Sequence, residues 1–297
     1  MRLALVLVLA VVVGCAAPTP PPITVTTPAA TSAPATRPTA VQAVATPIAA
    51  QPAASDDMTG DVVVFAASSL TDAFKELAEE FHRAHPNARV VFSFGGSSQL
   101  AIQLINGARA DVFASADQDQ MDVAERGHAL GGPQSIFVQN RLMVIAPRDN
   151  PAQITSLQDL ARPGVKVVGA QAAVPIGAYT SQLLKSASAS SGYAADFQRR
   201  VEANLVSRED TVRQIVAKIQ LGEGDAAVVY VTDVTPQIAD QFLEIHLPDD
   251  LQVTARYPIA VGNGRNHAGG EAFVAFIESA PAQQILAKWG FVNLNVQ

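Results

Sequence analysis

Apolar residues recur with two alternating spacings along most of this chain. Residues 62–66 form a short β-branched apolar run, and from Leu70 to Phe81 apolar residues then recur every three or four positions until Pro86. The first spacing predicts a buried strand and the second an amphipathic helix. The same succession follows twice more, as the strand and helix pairs 89–94 with 99–106 and 110–114 with 117–126. Three such units predict a parallel sheet with right-handed crossovers.

A second series of predicted elements begins with the strand at 142–146, which stops at Pro147. Ser156 and Asp159 have the spacing of a capping box, which predicts that a helix begins there. The remaining predicted elements are strands at 165–168, 226–230 and 257–261, and helices at 178–184, 212–220, 271–278 and 281–288. This alternation of strands and helices predicts the α/β class.

The last predicted strand returns to the first series, so we expect two α/β lobes, with the second inserted into the first. Lobe 1 is predicted to contain residues 61–143 and 254–297, and lobe 2 residues 144–253. Ligands of open α/β sheets bind beyond the carboxyl ends of the strands. We therefore expect the functional site in a cleft between the lobes, with helix N-termini on both walls.

The N-terminal residues have a different pattern. Arg2 precedes an unbroken apolar run that ends in Val-Val-Gly-Cys at Cys15. This run is too short to span a bilayer stably and predicts a signal peptide over 1–14, the alternative being a buried core helix. Val-Val-Gly-Cys resembles the lipobox of bacterial lipoproteins, which implies cleavage before Cys15 and a lipid anchor on that residue. Because Cys15 is the only cysteine, the folded part has no intrachain disulfide and no cysteine nucleophile.

Residues 15–60 are rich in Pro, Thr and Ala and contain no aromatic residue. Such a composition buries too little apolar surface to offset its ordering entropy. It predicts a semi-extended tether, of about 3 Å per residue where it is polyproline-like. A glycosylated stalk is the alternative that the composition leaves open.

The chain is acidic, with a formal net charge of −7. All of this charge resides in residues 61–297, since Arg2 and Arg37 balance Asp56 and Asp57. An acidic chain without a Lys/Arg cluster argues against nucleic acid as a partner. Because the overall field repels anions, any anion site must depend on local hydrogen-bond donors.

Hydroxyl residues follow the first two predicted strands, where helices begin. Ser69 lies in Ser-Ser-Leu-Thr-Asp and Ser97 in Gly-Gly-Ser-Ser-Gln. A helix N-terminus offers unpaired N–H groups and a partial positive charge, and a serine there adds an O–H donor. The alternative is that both serines are N-caps, with Ser69 paired to Asp72 in a capping box.

The second lobe offers a matching set of donors. Ile176 and Val212 lie where helices are predicted to begin, and Tyr230 closes a strand with its phenol at the carboxyl end. Each also has an ordinary alternative: Ile176 as part of a turn, Val212 as a core residue and Tyr230 as a core aromatic. Together with the serines, these residues predict an uncharged donor set on two facing walls.

Several segments, in this order along the chain, are similar to those of the bacterial periplasmic molybdate-binding proteins (ModA type). They are VVVFAASSLTDAF, FSFGGSSQLAIQLINGARADVFASAD, LMVIAP, VPIGAY, EDTVR, GDAAVVYVTD, YPIAV and AKWGF. The similarity runs from about Asp61 to Asn293, which is essentially the whole folded part. The resemblance implies a type II periplasmic-binding-protein fold, with two α/β lobes, a hinge and an interlobe cleft.

The resemblance also implies the ligand, molybdate or tungstate, and the groups that hold it. These are the hydroxyls and N–H groups of Ser69 and Ser97, the backbone N–H groups of Ile176 and Val212, and the phenol of Tyr230. The family usually has a small residue at the position of Ile176 and often Ala at that of Ser68. We expect the backbone contact of Ile176 to survive, while its bulk alters closure.

A site built from donors alone favours particular anions. Molybdate, tungstate and sulfate are fully deprotonated near neutral pH, whereas phosphate carries a proton that needs an acceptor. The resemblance implies capture outside the cytoplasm and delivery to an ABC transporter permease with its ATPase subunits. We expect a monomer, held at the membrane through Cys15, without a cofactor, a metal-cation site or enzymatic activity.

Other classes of protein fit the sequence less well. A serine hydrolase would have to use Ser69, Asp117 and one of five histidines, and no Gly-x-Ser-x-Gly segment is present. These histidines are His82, His85, His128, His246 and His267. No two of them have the helical spacing of a metal site with an acid nearby. An adhesive or structural lipoprotein would leave the donor set without a purpose.

Overall fold

The computed structural model describes residues 58–294, which contain nine strands and eight helices. The strands are β1 (Gly60–Ala67), β2 (Ala88–Gly95), β3 (Val112–Ala114), β4 (Leu130–Pro147), β5 (Val167–Ala170), β6 (Leu205–Glu209), β7 (Ala226–Tyr230), β8 (Phe242–His246) and β9 (Thr254–Gly262). The helices are α1 (Thr71–Ala84), α2 (Ser97–Ile105), α3 (Gln118–Arg126), α4 (Pro175–Ala189), α5 (Phe197–Ala203), α6 (Val212–Gln220), α7 (His267–Ile277) and α8 (Ala280–Lys288).

The predicted signal peptide, Cys15 and nearly all of the predicted tether lie outside the described residues. Within residues 58–294, none of the helices combines the length and the apolar character needed to cross a bilayer. Strand β1 begins at Gly60, one residue before the predicted start of the folded part.

The first three strands form the predicted parallel sheet, in the order β2-β1-β3. Strand β9 then adds antiparallel to β3, as the predicted return strand of this lobe. The interior of lobe 1 is rich in aromatic rings, including an edge-to-face pair of Phe81 and Phe273 with centroids 5.2 Å apart. Because β1 and β2 run in the same direction, Ala67 and Gly95 at their carboxyl ends are paired neighbours. The residues that follow these two strands therefore meet at one edge of the sheet.

Strand β4 joins the two lobes. Its first part, up to Arg141, pairs antiparallel with β9, and from Leu142 onward it pairs with β7 on one side and β8 on the other. Strands β5 and β6 continue the second group beyond β7, parallel to one another. The exchange of partners between Arg141 and Leu142 separates the two groups of strands. The lobe limits that we expect, 61–143 with 254–297 and 144–253, stay a prediction.

Some elements differ from the sequence prediction. The strand expected at 142–146 is the last part of the much longer β4. The Gly-Gly-Pro segment near the start of β4 and two register irregularities against β9 obscure the strand pattern there. The capping box at Ser156 and Asp159 is present, but it opens a five-residue 3-10 helix instead of an α-helix.

Three of the strands and α-helices were not predicted at all: α5, β6 and β8. Both of these strands alternate between more and less exposed positions, and β6 lies at the edge of the sheet order. Half-buried strands of this kind lack the continuous apolar run that identified β1 and β7. Their weaker pattern explains why they were missed.

Candidate functional site

The five residues predicted for the site line a single small cavity between the lobes. The lining consists of segments that follow β1, β2, β3 and β7 or begin α2, α4 and α6. They contribute Ala67, Ser68, Ser69, Gly95, Gly96, Ser97, Ala116, Val174, Pro175, Ile176, Thr211, Val212 and Tyr230. Residues that are far apart in the sequence thus meet at the carboxyl ends of strands, as the fold class predicts.

The two serines of lobe 1 are both buried and both hydrogen-bonded through their hydroxyls. Ser69 lies in a 3-10 helix after β1, and its Oγ is 2.9 Å from the phenol oxygen of Tyr257. Ser97 is the first residue of α2, and its Oγ accepts the backbone N–H of Ala116 at 3.0 Å. Neither serine acts as an N-cap, because α1 and α2 begin after Leu70 and Gly96 without a side-chain cap. The N-cap alternative for these serines is therefore wrong.

Gly96 allows the walls to approach each other. A Cβ at this position would lie 2.4 Å from the backbone oxygen of Asp210 in lobe 2. Real Cβ atoms do not come so close to a backbone atom, so any side chain at Gly96 would push the walls apart. The glycine before Ser97 is thus a requirement of the contact between the lobes.

Ile176 and Val212 line the cavity, and both are buried residues of the hydrophobic core. Pro175 is the first residue of α4 and has no N–H, so Ile176 carries the first amide donor of that helix. Val212 is the first residue of α6, which is capped by Thr211 in a capping box with Gln214. The first amide groups of a helix have no acceptor inside the helix. These two N–H groups therefore remain available as donors.

Tyr230 supplies the third group of lobe 2. Its phenol oxygen is buried and has no hydrogen-bond partner among residues 58–294. Burial raises the pKa of Tyr230 well above the usual value for a phenol, so the group keeps its proton and acts as a donor. Its ring packs edge-to-face against Tyr179 and Tyr257, with centroids 6.3 and 5.8 Å away. A buried O–H group without a partner is costly unless a ligand accepts it.

Contacts that the sequence did not reveal connect the two lobes directly. Arg213 of α6 donates from Nη2 to Asp72 Oδ2 at 2.5 Å and from Nε to the backbone oxygen of Ser68 at 3.3 Å. Gln120 of α3 donates to the backbone oxygen of Ala173 at 3.2 Å. Ser68, where the family often has Ala, thus accepts a hydrogen bond from Arg213 through its backbone oxygen. No sequence signal identified Arg213 beyond its position in the EDTVR segment.

A buried carboxylate lies near each wall. Burial raises the pKa of Asp117 to about 6, and this residue caps α3 by accepting the N–H of Gln120 at 3.0 Å. Burial also raises the pKa of Asp233 to about 7, and its Oδ2 accepts the N–H of Tyr230 at 3.1 Å. Among the described residues, no carboxylate and no histidine lines the cavity. The lining therefore offers hydrogen-bond donors and lacks the acid and base that a hydrolase needs.

Metal binding also finds no support in the described part of the chain. Between residues 58 and 294, no group of three or more His, Cys, Asp or Glu side chains is arranged to hold a metal ion. The hydroxyl, amide and phenol groups around the cavity are donors, whereas cations need acceptor ligands. The chemistry of the lining fits an anion.

Comparison with known proteins agrees with this geometry. The model of the family described as bacterial extracellular solute-binding protein matches residues 62–292. The chain is 36% identical over 246 residues to the molybdate-binding protein ModA of Mycobacterium tuberculosis (strain H37Rv), across 82% of this chain and 89% of that protein.

Solved structures share the fold. The sulfate-binding protein SubI of Mycobacterium tuberculosis H37Rv has a TM-score of 0.71 at 18% identity, over 80% of this chain and 88% of that one. The periplasmic molybdate-binding protein of Azotobacter vinelandii has a TM-score of 0.65 at 21% identity, over 78% and 98%. The predicted type II periplasmic-binding-protein fold is thereby confirmed.

These relatives are described as solute-binding and molybdate-binding proteins, so the prediction that this protein is a binding protein and not an enzyme is confirmed. The resemblance inferred from the sequence segments is confirmed as well. The chain belongs to the bacterial extracellular solute-binding proteins, and within them it is of the molybdate-binding ModA type.

Proposed function

We propose that this protein captures molybdate, and also tungstate, outside the cytoplasm and delivers it to an ABC transporter permease with its ATPase subunits. The observation that carries the proposal is the small interlobe cavity lined by Ser69, Ser97, Ile176, Val212 and Tyr230. Their hydroxyl, amide and phenol groups can all donate hydrogen bonds. Helix N-termini and fixed dipoles hold a dianion without a neutralising side chain, which suits a protein whose overall charge is negative.

The same donor set discriminates among tetrahedral anions. Phosphate brings a proton, and the lining has no carboxylate to accept it. An unmet hydrogen bond in a closed site costs roughly 1–3 kcal/mol, which is about one or two decades of affinity. Sulfate carries no proton but is a smaller tetrahedron, so it makes poorer contact with the same donors. Molybdate and tungstate carry no proton and are larger tetrahedra than sulfate, so they suit the donor set in both respects.

Calorimetric titration tests this proposal with molybdate, tungstate, sulfate and phosphate in parallel. We expect molybdate and tungstate to bind much more tightly than the other two anions. Sulfate is the second candidate, because a sulfate-binding protein shares the fold. Tightest binding of phosphate would contradict the donor-only site, and tightest binding of sulfate would move the assignment to that anion.

We also propose that binding closes the lobes. The five groups come from both walls, so an anion satisfies them together only when the walls meet. The hinge would lie near Ala146 on β4 and Tyr257 on β9, close to where β4 exchanges its partners. Small-angle scattering is expected to show compaction when molybdate is added. A saturating ligand that leaves the radius of gyration unchanged would contradict closure.

Membrane attachment through Cys15 completes the proposal. The apolar run, the Val-Val-Gly-Cys segment and the Pro-rich residues up to about 60 support a lipid-anchored monomer held away from the membrane. A diacyl anchor binds a membrane firmly because it supplies more than one chain. Mass spectrometry of the mature protein is expected to find an N-terminal Cys15 carrying lipid. An unmodified Cys15, or its absence, would contradict this part of the proposal.

A further inference from the structure

We propose that Tyr257 and Asn140 are positioning residues that force the Ser69 hydroxyl to donate into the cavity. Through this orientation they would exclude anions that carry a proton. This inference rests on the proposed function, because it concerns how the same oxyanion site chooses its ligand. It adds two residues, neither of which lines the cavity, to the groups that set its specificity.

The orientation starts at a backbone amide. The N–H of Arg141 donates to Asn140 Oδ1 at 2.9 Å. A backbone N–H can only donate, so the oxygen of the Asn140 side chain must face it. The amide nitrogen of Asn140 therefore faces the other way, toward Thr232 Oγ1 at 2.9 Å and the phenol oxygen of Tyr257 at 3.4 Å. Asn140 is fully buried, so water does not compete for these positions.

The phenol of Tyr257 takes its direction from Asn140. An amide NH₂ group donates two hydrogen bonds and accepts none, so Tyr257 is an acceptor in this contact. Its own proton is then left for its second neighbour, Ser69 Oγ, which lies 2.9 Å away. Tyr257 is fully buried, and burial raises the pKa of its phenol well above the usual value, so that proton stays in place.

Ser69 is the last member of this hydrogen-bond chain. Because its Oγ accepts the proton of Tyr257, its own hydroxyl proton is free to point elsewhere. Ser69 lines the cavity, so the proton is directed to a ligand there. Ser97 reaches the same state by a shorter route, since its Oγ accepts the N–H of Ala116. Both serines are thus donors to the ligand, fixed from behind by groups of the protein.

A fixed direction matters because a serine hydroxyl otherwise rotates to suit its partner. Left free, Ser69 would accept the P–O–H proton of phosphate as readily as it donates to sulfate. With Tyr257 donating to one of its two lone pairs, the Ser69 proton is turned toward the cavity, where it opposes the proton of a P–O–H group. Rejection of a protonated anion is therefore partly set by Asn140 and Tyr257, on the two strands that run between the lobes.

The test compares sulfate with phosphate, because both are small tetrahedra and differ in the proton. Dissociation constants for both anions, and for molybdate, are measured at mildly alkaline pH in the wild type and in Tyr257→Phe. This variant keeps the packing of the ring and removes only the phenol hydroxyl. Thr232→Val is the matched control, since it also removes one buried partner of Asn140 but leaves the chain through Tyr257 intact.

We expect Tyr257→Phe to weaken sulfate and molybdate binding several-fold and to narrow the preference for sulfate over phosphate about tenfold. Thr232→Val is expected to leave that preference unchanged. Asn140→Asp is a second variant. Its carboxylate accepts the Tyr257 proton and so reverses the direction of the hydrogen bonds between residue 140, Tyr257 and Ser69. The added charge at residue 140 weakens the binding of sulfate and of phosphate equally, because both are dianions. A narrower preference for sulfate over phosphate in this variant therefore reports the reversed hydrogen bonds alone. Ligand-free melting curves of all variants show whether each one is folded.

The outcomes separate this inference from the proposed function. A wild type that binds none of the anions would overturn both. A wild type that binds molybdate, with folded Tyr257→Phe and Asn140→Asp variants that keep the sulfate preference, would overturn the inference alone. If Thr232→Val narrowed the preference for sulfate over phosphate by the same factor, the inference would also be overturned. The effect would then reflect a general loosening of the buried polar cluster.

Discussion

The two walls of the cavity offer different kinds of hydrogen-bond donor to the proposed ligand. Lobe 1 contributes side-chain hydroxyls, Ser69 and Ser97, and each is already engaged by another part of the protein. Lobe 2 contributes backbone amides at Ile176 and Val212, whose side chains belong to the core, and the phenol of Tyr230, which has no partner among the described residues. Lobe 1 is therefore the preorganised wall, and lobe 2 carries the group that most needs a ligand.

This difference teaches where substitutions act. On lobe 1, removing a side chain removes a donor directly. On lobe 2, a change of side chain at a helix start leaves the backbone donor in place, and only Tyr230 exposes a side-chain donor to substitution. A preorganised wall also loses little entropy on binding. The predictions that follow test this contrast, in order of their expected effect on affinity.

Removing both hydroxyls of lobe 1 should have the largest effect. We expect Ser69→Ala and Ser97→Ala each to lower molybdate affinity roughly tenfold to a hundredfold, and the pair nearly to abolish binding. Titration calorimetry measures the affinities. Each change also leaves a buried donor without its acceptor, the Tyr257 hydroxyl or the Ala116 N–H, so the ligand-free protein should lose roughly 1–3 kcal/mol of stability as well. Lower stability with unchanged affinity would show that the hydroxyls serve the fold and not the ligand.

Tyr230→Phe tests the single side-chain donor of lobe 2. The change keeps the ring between Tyr179 and Tyr257 and removes one O–H donor. A hydrogen bond to a charged ligand is worth roughly 1.5–3 kcal/mol, so affinity should fall on the order of tenfold to a hundredfold. Because the phenol has no protein partner, the ligand-free protein should be as stable or more stable. An unchanged dissociation constant would mean that the phenol does not reach the ligand.

Asp72→Asn tests the contact between the walls instead of the contact with the ligand. The pair of Asp72 and Arg213 joins the lobes but is about 30% exposed on each side chain. Partly exposed ion pairs contribute about 0.2–1 kcal/mol, so affinity should fall by less than about fivefold. The loss should shrink further at high salt, which screens such pairs. Titrations at two salt concentrations measure it, and a much larger, salt-independent loss would contradict a role limited to closure.

Ile176→Ala separates backbone from side chain on lobe 2. The amide donor remains, so we expect the dissociation constant to stay within about threefold of the wild type. The buried side chain leaves a cavity in the core, which should lower the free energy of unfolding by about 2–5 kcal/mol. Calorimetry and denaturant unfolding measure the two effects. A large loss of affinity with little loss of stability would show that the side chain itself contacts the anion.

The buried carboxylates should affect stability and leave binding nearly unchanged. In the folded protein the pKa of Asp233 is raised to about 7 from 3.8, so between about pH 4 and 7 the native state holds a proton that the unfolded state lacks. The free energy of unfolding should therefore fall as pH rises through this window. Asp233→Asn should flatten that slope, leaving the part due to Asp117 between about pH 4 and 6. Ligand-free melting across this range checks the prediction, and an unaltered slope would contradict it.

Much of the fold and of the site was predictable from local sequence. The periods of apolar residues identified most strands and helices, and β7 and α6 were predicted with their observed bounds. The residues proposed as donors could be brought together from the sequence because a strand end followed by a helix start is a local feature, and the ends of parallel strands meet at one edge. The half-buried strands β6 and β8 were missed for want of a continuous apolar run.

Tertiary structure alone decided which role each residue takes. Ser69 had two readings in the sequence, an N-cap or a donor, and its actual partner, Tyr257, is 188 positions away. Asn140 and Arg213 likewise gain their roles from contacts more than a hundred residues distant. A hydrogen bond depends on positions and directions in space, which the order of residues in a chain does not contain. The sequence therefore determined the donors available, and the packing of two lobes decided which way each one points.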